Sequence, residues 1–216
     1  MSKMSFALFV SIPFIGIVAH AAHAAHAADV EPSVLRVKVS EAGEPGIAGW
    51  GSAVAVDLSE FGLKGNQYLL SAAHVIRGSA RIDIEVAGKW YEAHALYADE
   101  DYDVCILKIE TRVHALTLSK AVPQGVIGMG FKWGHAPAAI NEGICTAQST
   151  NHNKAQWRAA LSIAPGCSGG PVLTADGQIA GIVIAGAADA QGKMRDDITI
   201  FVPCTILRQW LEGCRK

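Results

Sequence analysis

Short apolar runs, separated by turns that contain Gly and Asp, recur along the chain from Val34 onwards. One set precedes a connector around Pro123 and a second set follows it. Regularly spaced short strands with turn signals are typical of β-barrels and sandwiches rather than of alternating α/β folds. The spacing predicts an all-β fold of two six-stranded antiparallel barrels, with the groove between them as the natural place for a site. The runs are VLRVKV, WGSAVAVDL, QYLLSAA, ARIDIEVA, YEAHALYA and DVCILKIE, then VIGMGF, GICTAQST, WRAALSI, GPVLT, QIAGIVIA and ITIFVP.

The positions of these runs set the expected boundaries. We expect the first barrel to span about 34–118 and the second about 124–204. The segment 205–213 is predicted to be a short helix docked on the second barrel, because its apolar side chains share one helical face. These side chains are Ile206, Leu207, Trp210 and Leu211.

The N-terminal segment differs from the rest of the chain. Lys3 precedes the apolar run FALFVSIPFIGIVA, and an Ala-rich stretch with small residues at Ala25 and Ala27 follows. This order is typical of a secretory signal peptide, which we place at residues 1–28, so that the mature protein begins at about residue 29. A retained membrane anchor is the alternative, but the apolar run is short for a span. We expect a secreted or periplasmic protein with no stable membrane association after cleavage.

The net charge and the absence of certain residue clusters limit which partners and cofactors are expected. The formal net charge of the 216-residue chain is −2, and no Lys/Arg-rich run is present, which argues against a nucleic-acid partner. No CxxC motif or Cys/His cluster has zinc spacing. We therefore expect neither a metal nor a cofactor. The sequence carries no signal for the oligomeric state.

The cysteines leave the disulfide pattern open. An odd number of cysteines in a secreted chain leaves a thiol that is unpaired or paired with another chain. A helix between Cys204 and Cys214 would separate them by about 15 Å, beyond disulfide reach unless Cys204 precedes the helix and folds back. The five cysteines are Cys105, Cys145, Cys167, Cys204 and Cys214.

Three motifs point to a chemistry. His74 follows an apolar strand in LLSAAHVI, Asp103 heads a strand in DYDVCILKI, and Ser168 lies in the tight turn GCSGGP. A nucleophilic serine needs a base, a carboxylate that orients the base, and backbone N–H groups aimed at the developing oxyanion. His, Asp and Ser in this chain order are typical of chymotrypsin-type enzymes. Each residue alone could have a purely structural role, but purely structural roles for all three in this order would be a coincidence.

The carboxylate has two rivals in the same acidic turn. Asp99 and Asp101 lie further from the strand, whereas Asp103 abuts VCILKI, which would hold its carboxylate in place. We therefore predict that Asp103 is the partner of His74.

With these motifs, the chain resembles a trypsin-like (chymotrypsin-fold) serine protease, and more closely the protease domain of the HtrA (Deg) family. The resemblance implies that residues 29–216 form a protease domain that hydrolyses peptide bonds in proteins or peptides through an acyl-enzyme. In that case His74 is the general base and then acid, Asp103 orients it, Ser168 is the nucleophile, and the amides of Gly166 and Ser168 form the oxyanion hole. The matching pieces are GWGSAVAV, LLSAAHVI, DYDVCILKI, VIGMGF, GICTAQS, APGCSGGPVLTADGQIAGIVIA and ITIFVP.

The chain departs from that family in two ways. Cys167 stands where Asn or Asp usually precedes the nucleophile, so a side-chain hydrogen bond that shapes the turn is lost. The family's PDZ domains are also expected to be missing after the short helix.

Ser168 rather than Cys167 is predicted to attack, because Ser168 directly precedes the two glycines. Cys167 is then either a free thiol, sensitive to thiol reagents, or part of a disulfide, with Cys145 as a candidate partner.

The resemblance also implies where the primary specificity pocket lies. Ser162 occupies the position at the pocket base where an Asp would select Arg or Lys, and no His in these segments indicates selection of Glu. We expect a small or medium aliphatic P1 residue. The predicted pocket residues are Ser162, Ile163, Ala164, Ile184, Ala185 and Gly186.

Two other functions remain open from the sequence. A chaperone-like or binding module could keep the protease fold with little turnover, and the same triad could hydrolyse esters or other acyl compounds. A secreted or periplasmic serine endopeptidase is the leading interpretation.

Overall fold

The computed structural model describes residues 29–43, 46–151, 154–189 and 191–214. The predicted signal peptide, 1–28, lies outside the described residues. Among the residues that are described, no helix is long and apolar enough to cross a membrane.

The first barrel contains the strands that begin at Val34. They close antiparallel in the order β1-β2-β3-β6-β5-β4. Leu69, Leu70 and Ile106 are fully buried, and every residue of β3 is buried. A short helix, α1 (Ala73–Ile76), directly follows β3. The strands are β1 (Val34–Ser40), β2 (Gly49–Ala55), β3 (Tyr68–Ser71), β4 (Arg81–Val86), β5 (Lys89–Asp99) and β6 (Val104–Ile109).

The second barrel closes antiparallel in the order β10-β11-β12-β9-β8-β7. Leu161, Val172 and Phe201 form part of its core. The predicted all-β fold of two six-stranded antiparallel barrels is confirmed. The strands are β7 (Gly125–Gly130), β8 (Ala139–Asn151), β9 (Lys154–Ala160), β10 (Pro171–Leu173), β11 (Ile179–Ala188) and β12 (Met194–Pro203).

The C-terminal helix, α2 (Cys204–Gly213), contacts both barrels. It begins one residue before the predicted start and buries Leu207 and Leu211. The guanidinium of Arg208 pairs with the carboxylate of Glu60 in the first barrel, with N–O distances of 2.8 and 2.6 Å. The sequence predicted docking on the second barrel alone, because a helical stripe shows which face is buried but not every surface that covers it.

The barrels supply the site from different parts of the chain. Helix α1 carries His74, the turn between β5 and β6 carries Asp103, and the loop between β9 and β10 carries Ser168. The backbone N–H of Ser52 in β2 donates to the carbonyl of Ser168 at 2.8 Å. This bond joins the first barrel to the turn of the second.

Truncation of Leu207 tests the anchoring of α2. Leu207→Ala should lower the free energy of unfolding by about 2–5 kcal/mol, because it leaves a cavity at a fully buried position. The exposed neighbour Gln209 is the control, and Gln209→Ala should leave stability nearly unchanged. Urea denaturation of both variants measures the difference, and equal losses would contradict the packing described here.

Candidate active site

Asp103 holds His74 through two hydrogen bonds. One carboxylate oxygen accepts from the backbone N–H of His74 at 2.7 Å, and the other lies 2.6 Å from His74 Nδ1. The φ of Asp103 is +57°, a left-handed conformation that is uncommon outside glycine. A carboxylate at Nδ1 fixes the imidazole orientation and leaves Nε2 available for proton transfer.

Asp99, one of the two alternative carboxylates in the acidic turn, has other hydrogen-bond partners. Asp99 accepts hydrogen bonds from the backbone N–H groups of Asp101 and Tyr102, each at 2.9 Å. It therefore shapes the turn that leads into β6. The structure brings Asp103, not Asp99, to His74.

Ser168 and His74 line one cleft between the barrels, together with Trp50 and Arg77. In the described part of the chain, no hydrogen bond joins the His74 imidazole to the Ser168 hydroxyl. Catalytic hydrogen bonds are often long before substrate binds.

Two glycines make the turn around Ser168 possible. Gly166 and Gly169 have φ values of +93° and +84°. A Cβ on Gly166 would lie 2.3 Å from the carbonyl oxygen of Phe131, and one on Gly169 would lie 2.1 Å from that of Ser52. Any side chain at either position would therefore be strained and would also collide with backbone.

Hydrogen bonds to the carbonyls of this turn orient its peptide groups. The carbonyl of Pro165 accepts from the N–H of Trp133 at 2.6 Å, and that of Cys167 accepts from the N–H of Gly170 at 2.9 Å. In a planar trans peptide the N–H points away from its carbonyl, so the amides of Gly166 and Ser168 point away from these partners. Neither amide donates to another described residue. Two free N–H groups beside a serine hydroxyl can stabilise an oxyanion.

The segment Lys132–Gly134, whose Trp133 N–H binds the carbonyl of Pro165, is in turn held by contacts with the first barrel. Arg36 donates to the carbonyl of Gly134 at 2.8 Å, and its guanidinium lies 5.2 Å from the centre of the Trp50 ring. A Cβ on Gly134 would lie 2.4 Å from that ring. The segment Lys132–Gly134 therefore has little room to move away from Pro165.

Ser52 is a site residue that the sequence analysis missed. It is fully buried in β2, where its hydroxyl donates to the carbonyl of Gly166 at 2.7 Å and accepts from the N–H of Phe131 at 3.0 Å. The available signal was a serine within the apolar run WGSAVAV, because a buried hydroxyl requires partners.

Cys167 carries a free, buried thiol. Its exposed fraction is 3%, and the predicted candidate partner Cys145 is also free. Burial raises the pKa of the Cys167 thiol, which keeps it protonated at neutral pH and weakly nucleophilic. This disfavours the expected sensitivity to thiol reagents. Cys204 and Cys214, at the two ends of α2, are free as well.

A cavity of about 770 Å³ lies beside Ser168. Five of the six predicted pocket residues line it, but Ile184 does not. Ile184 is only 7% exposed and belongs to the buried core. A register shift in β11 between Val183 and Ala185 interrupts the strand alternation there. The predicted residues in the lining are Ser162, Ile163, Ala164, Ala185 and Gly186.

Residues outside the six predicted for the pocket also line this cavity. Lys132 and Trp133 come from the turn after β7, and Arg195 comes from β12, where it pairs with Asp197. Among the described residues that line the cavity none carries a carboxylate, Lys132 contributes a positive charge, and Asp197 offsets the charge of Arg195. No group of three or more His, Cys, Asp or Glu side chains in the described ranges could hold a metal ion.

Comparison with known proteins identifies the class. Residues 49–182 match the family model of the trypsin-like peptidase domain. Because this match covers more than half of the chain, the chain belongs to that family, and its class is that of the serine proteases, which are hydrolases.

The HtrA-like character predicted from the motifs is also confirmed. A Synechocystis protein described as the serine protease HhoA is 27% identical over 162 residues, which cover 68% of this chain and 39% of the relative. A DegP-like periplasmic serine endoprotease of Halomonas elongata is 28% identical over 134 residues, 57% of this chain and 28% of the relative. The chain thus spans well under half of these relatives.

A solved structure has the same fold. The HtrA-type protease AlgW, bound to a tripeptide, superposes with a TM-score of 0.74 and covers 90% of this chain and 64% of that one. At 21% sequence identity this likeness concerns the fold alone.

Burial of Cys167 predicts a protected thiol. Iodoacetamide should leave Cys167 unmodified in the native protein and alkylate it in urea, because the buried thiol is inaccessible and protonated. The partly exposed Cys214 is the internal control and should react faster in the native state. Peptide mass spectrometry measures both, and equal native rates would contradict this placement.

Proposed function

We propose that the protein is a secreted or periplasmic serine endopeptidase that cleaves protein or peptide substrates. The observation that carries the proposal is the doubly hydrogen-bonded pair of His74 and Asp103, in the cleft that also contains Ser168. A surface histidine needs no such restraint, whereas a general base does.

In the proposed mechanism, Ser168 Oγ attacks the scissile carbonyl carbon while His74 Nε2 takes the hydroxyl proton. Asp103 stabilises the imidazolium, and the amides of Gly166 and Ser168 donate to the oxyanion. His74 then gives the proton to the leaving amine as the C–N bond breaks, which leaves an acyl-enzyme. Water attacks this ester with His74 as base, and Ser168 Oγ leaves with the proton.

Two observations support a location outside the cytoplasm. The N-terminal segment has the features of a signal peptide, and one relative is described as periplasmic. Cys105, Cys167 and Cys204 have exposed fractions of at most 3%, so burial would shield these thiols from oxidants.

Substitution of the triad tests the activity. Wild-type protein should react with a fluorophosphonate probe and degrade unfolded casein, and Ser168→Ala should abolish both. Probe reaction without casein cleavage would indicate another acyl substrate. The absence of both would favour a binding or chaperone-like module.

The orienting carboxylate gives a matched pair of variants. Asp103→Asn should lower kcat by about 10⁴-fold, because an amide favours the wrong imidazole tautomer. Asp101→Asn removes a neighbouring carboxylate of the same turn and should leave kcat nearly unchanged. Steady-state cleavage of a peptide substrate measures both, and similar losses would argue against the assigned role of Asp103.

Cavity chemistry predicts the cleavage preference. The small and aliphatic lining favours a small or medium aliphatic P1 residue, and the positive charge of Lys132 disfavours Arg or Lys through repulsion. Digestion of a mixed peptide library, read by mass spectrometry, reports the preference. Dominant cleavage after Arg, Lys or Glu would overturn this expectation.

A further inference from the structure

Hydrogen bonds fix every carbonyl of the nucleophile turn, 165–168, and one residue of the first barrel supplies half of them. Ser52 donates from its hydroxyl to the carbonyl of Gly166 at 2.7 Å and from its backbone N–H to the carbonyl of Ser168 at 2.8 Å. The other two partners are the N–H groups of Trp133 and Gly170, which bind the carbonyls of Pro165 and Cys167.

The direction of the Ser52 hydroxyl proton is set by its surroundings. The N–H of Phe131 donates to Ser52 Oγ at 3.0 Å, so the single hydroxyl proton is left for Gly166. All these groups are buried, and loss of the hydroxyl would leave a donor and an acceptor without partners.

The residue that precedes the nucleophile cannot replace this bond. The Cys167 thiol interacts with the backbone of Ala164 and not with the carbonyl of Gly166, and a thiol is a weak donor. Gly130 lies so near that a Cβ there would be 2.9 Å from Cys167 Cα and 3.2 Å from Ser52 Oγ. Cys167 and Ser52 therefore both pack closely against Gly130.

We propose that Ser52 is a positioning residue that keeps the amides of Gly166 and Ser168 aimed at the oxyanion, in place of a hydrogen bond from residue 167. This inference rests on the proposed function. The peptide group between Gly166 and Cys167 lies between the two oxyanion donors, so its rotation misdirects both of them. Ser52 is not among the residues that line either cavity beside Ser168, and it therefore acts on the rate and not on substrate binding.

Kinetics of Ser52→Ala test the proposal. We expect kcat to fall about 10- to 100-fold with KM nearly unchanged, less than the loss of about 10²–10³ when an oxyanion donor is deleted. A peptide boronate, whose tetrahedral adduct mimics the intermediate, should bind more weakly by a similar factor. An unchanged kcat, or a change in KM alone, would overturn the proposal.

The control is another buried serine. Ser33 is fully buried, and its hydroxyl lies 2.9 Å from His114 Nδ1. Ser33 lines neither of the two cavities beside Ser168. Ser33→Ala should lower Tm while kcat stays at the wild-type value. If Ser52→Ala does not fold, Ser52→Cys under reductant fills the space with a slightly larger side chain and a weaker donor, and should show the same loss of kcat.

Hydrogen exchange separates this proposal from the proposed function. Amides in the segment 161–173 should exchange faster in Ser52→Ala than in wild type, and Ser33→Ala should not change them. If wild-type protein shows no probe reaction or cleavage, the proposed function fails, and this exchange still tests Ser52. Exchange equal to wild type would overturn the positioning role.

Discussion

The orientation of a few peptide groups around Ser168 depends on contacts from outside the turn that contains them. Glycine at 166 and 169 permits the conformation but does not select it, because glycine also accepts many others. Selection comes from carbonyls bound by Ser52 and by the turn at Trp133. Each bound carbonyl fixes a rigid plane, and the plane fixes the opposite N–H. An oxyanion site of backbone amides is therefore only as well ordered as the acceptors behind it.

The two barrels must dock accurately for this arrangement to exist. His74 and Asp103 belong to the first barrel and Ser168 to the second. Several polar contacts cross the boundary, among them the pair of Arg208 with Glu60 and the bond from Arg36 to Gly134. These directional contacts give the interface a fixed geometry, which apolar packing alone, being non-directional, specifies less sharply.

Local patterns made much of the fold predictable from the sequence. Strand runs, the helix and the pairing of His74 with Asp103 follow from periodicity and from the strand that holds Asp103. Other features depend on distant contacts. Ser52 gains its proposed role from a loop more than a hundred positions away, Arg195 reaches the cavity from another strand, and Ile184 is buried in the core beside a register shift in β11. Alternation along one strand carries no information on such shifts.

Because the proposed triad is divided between the barrels, any separation of the barrels would affect the site. The strands of each barrel close on themselves, but one buried apolar cluster continues from the first barrel into the second, so separation of the barrels would expose part of it. Separation would part the base from the nucleophile and remove Ser52 from the turn at the same time. Proteolytic activity would then be lost even where the strands of each barrel stay paired. Proteolytic activity would therefore depend on both barrels being docked, and one barrel alone would lack part of the proposed triad.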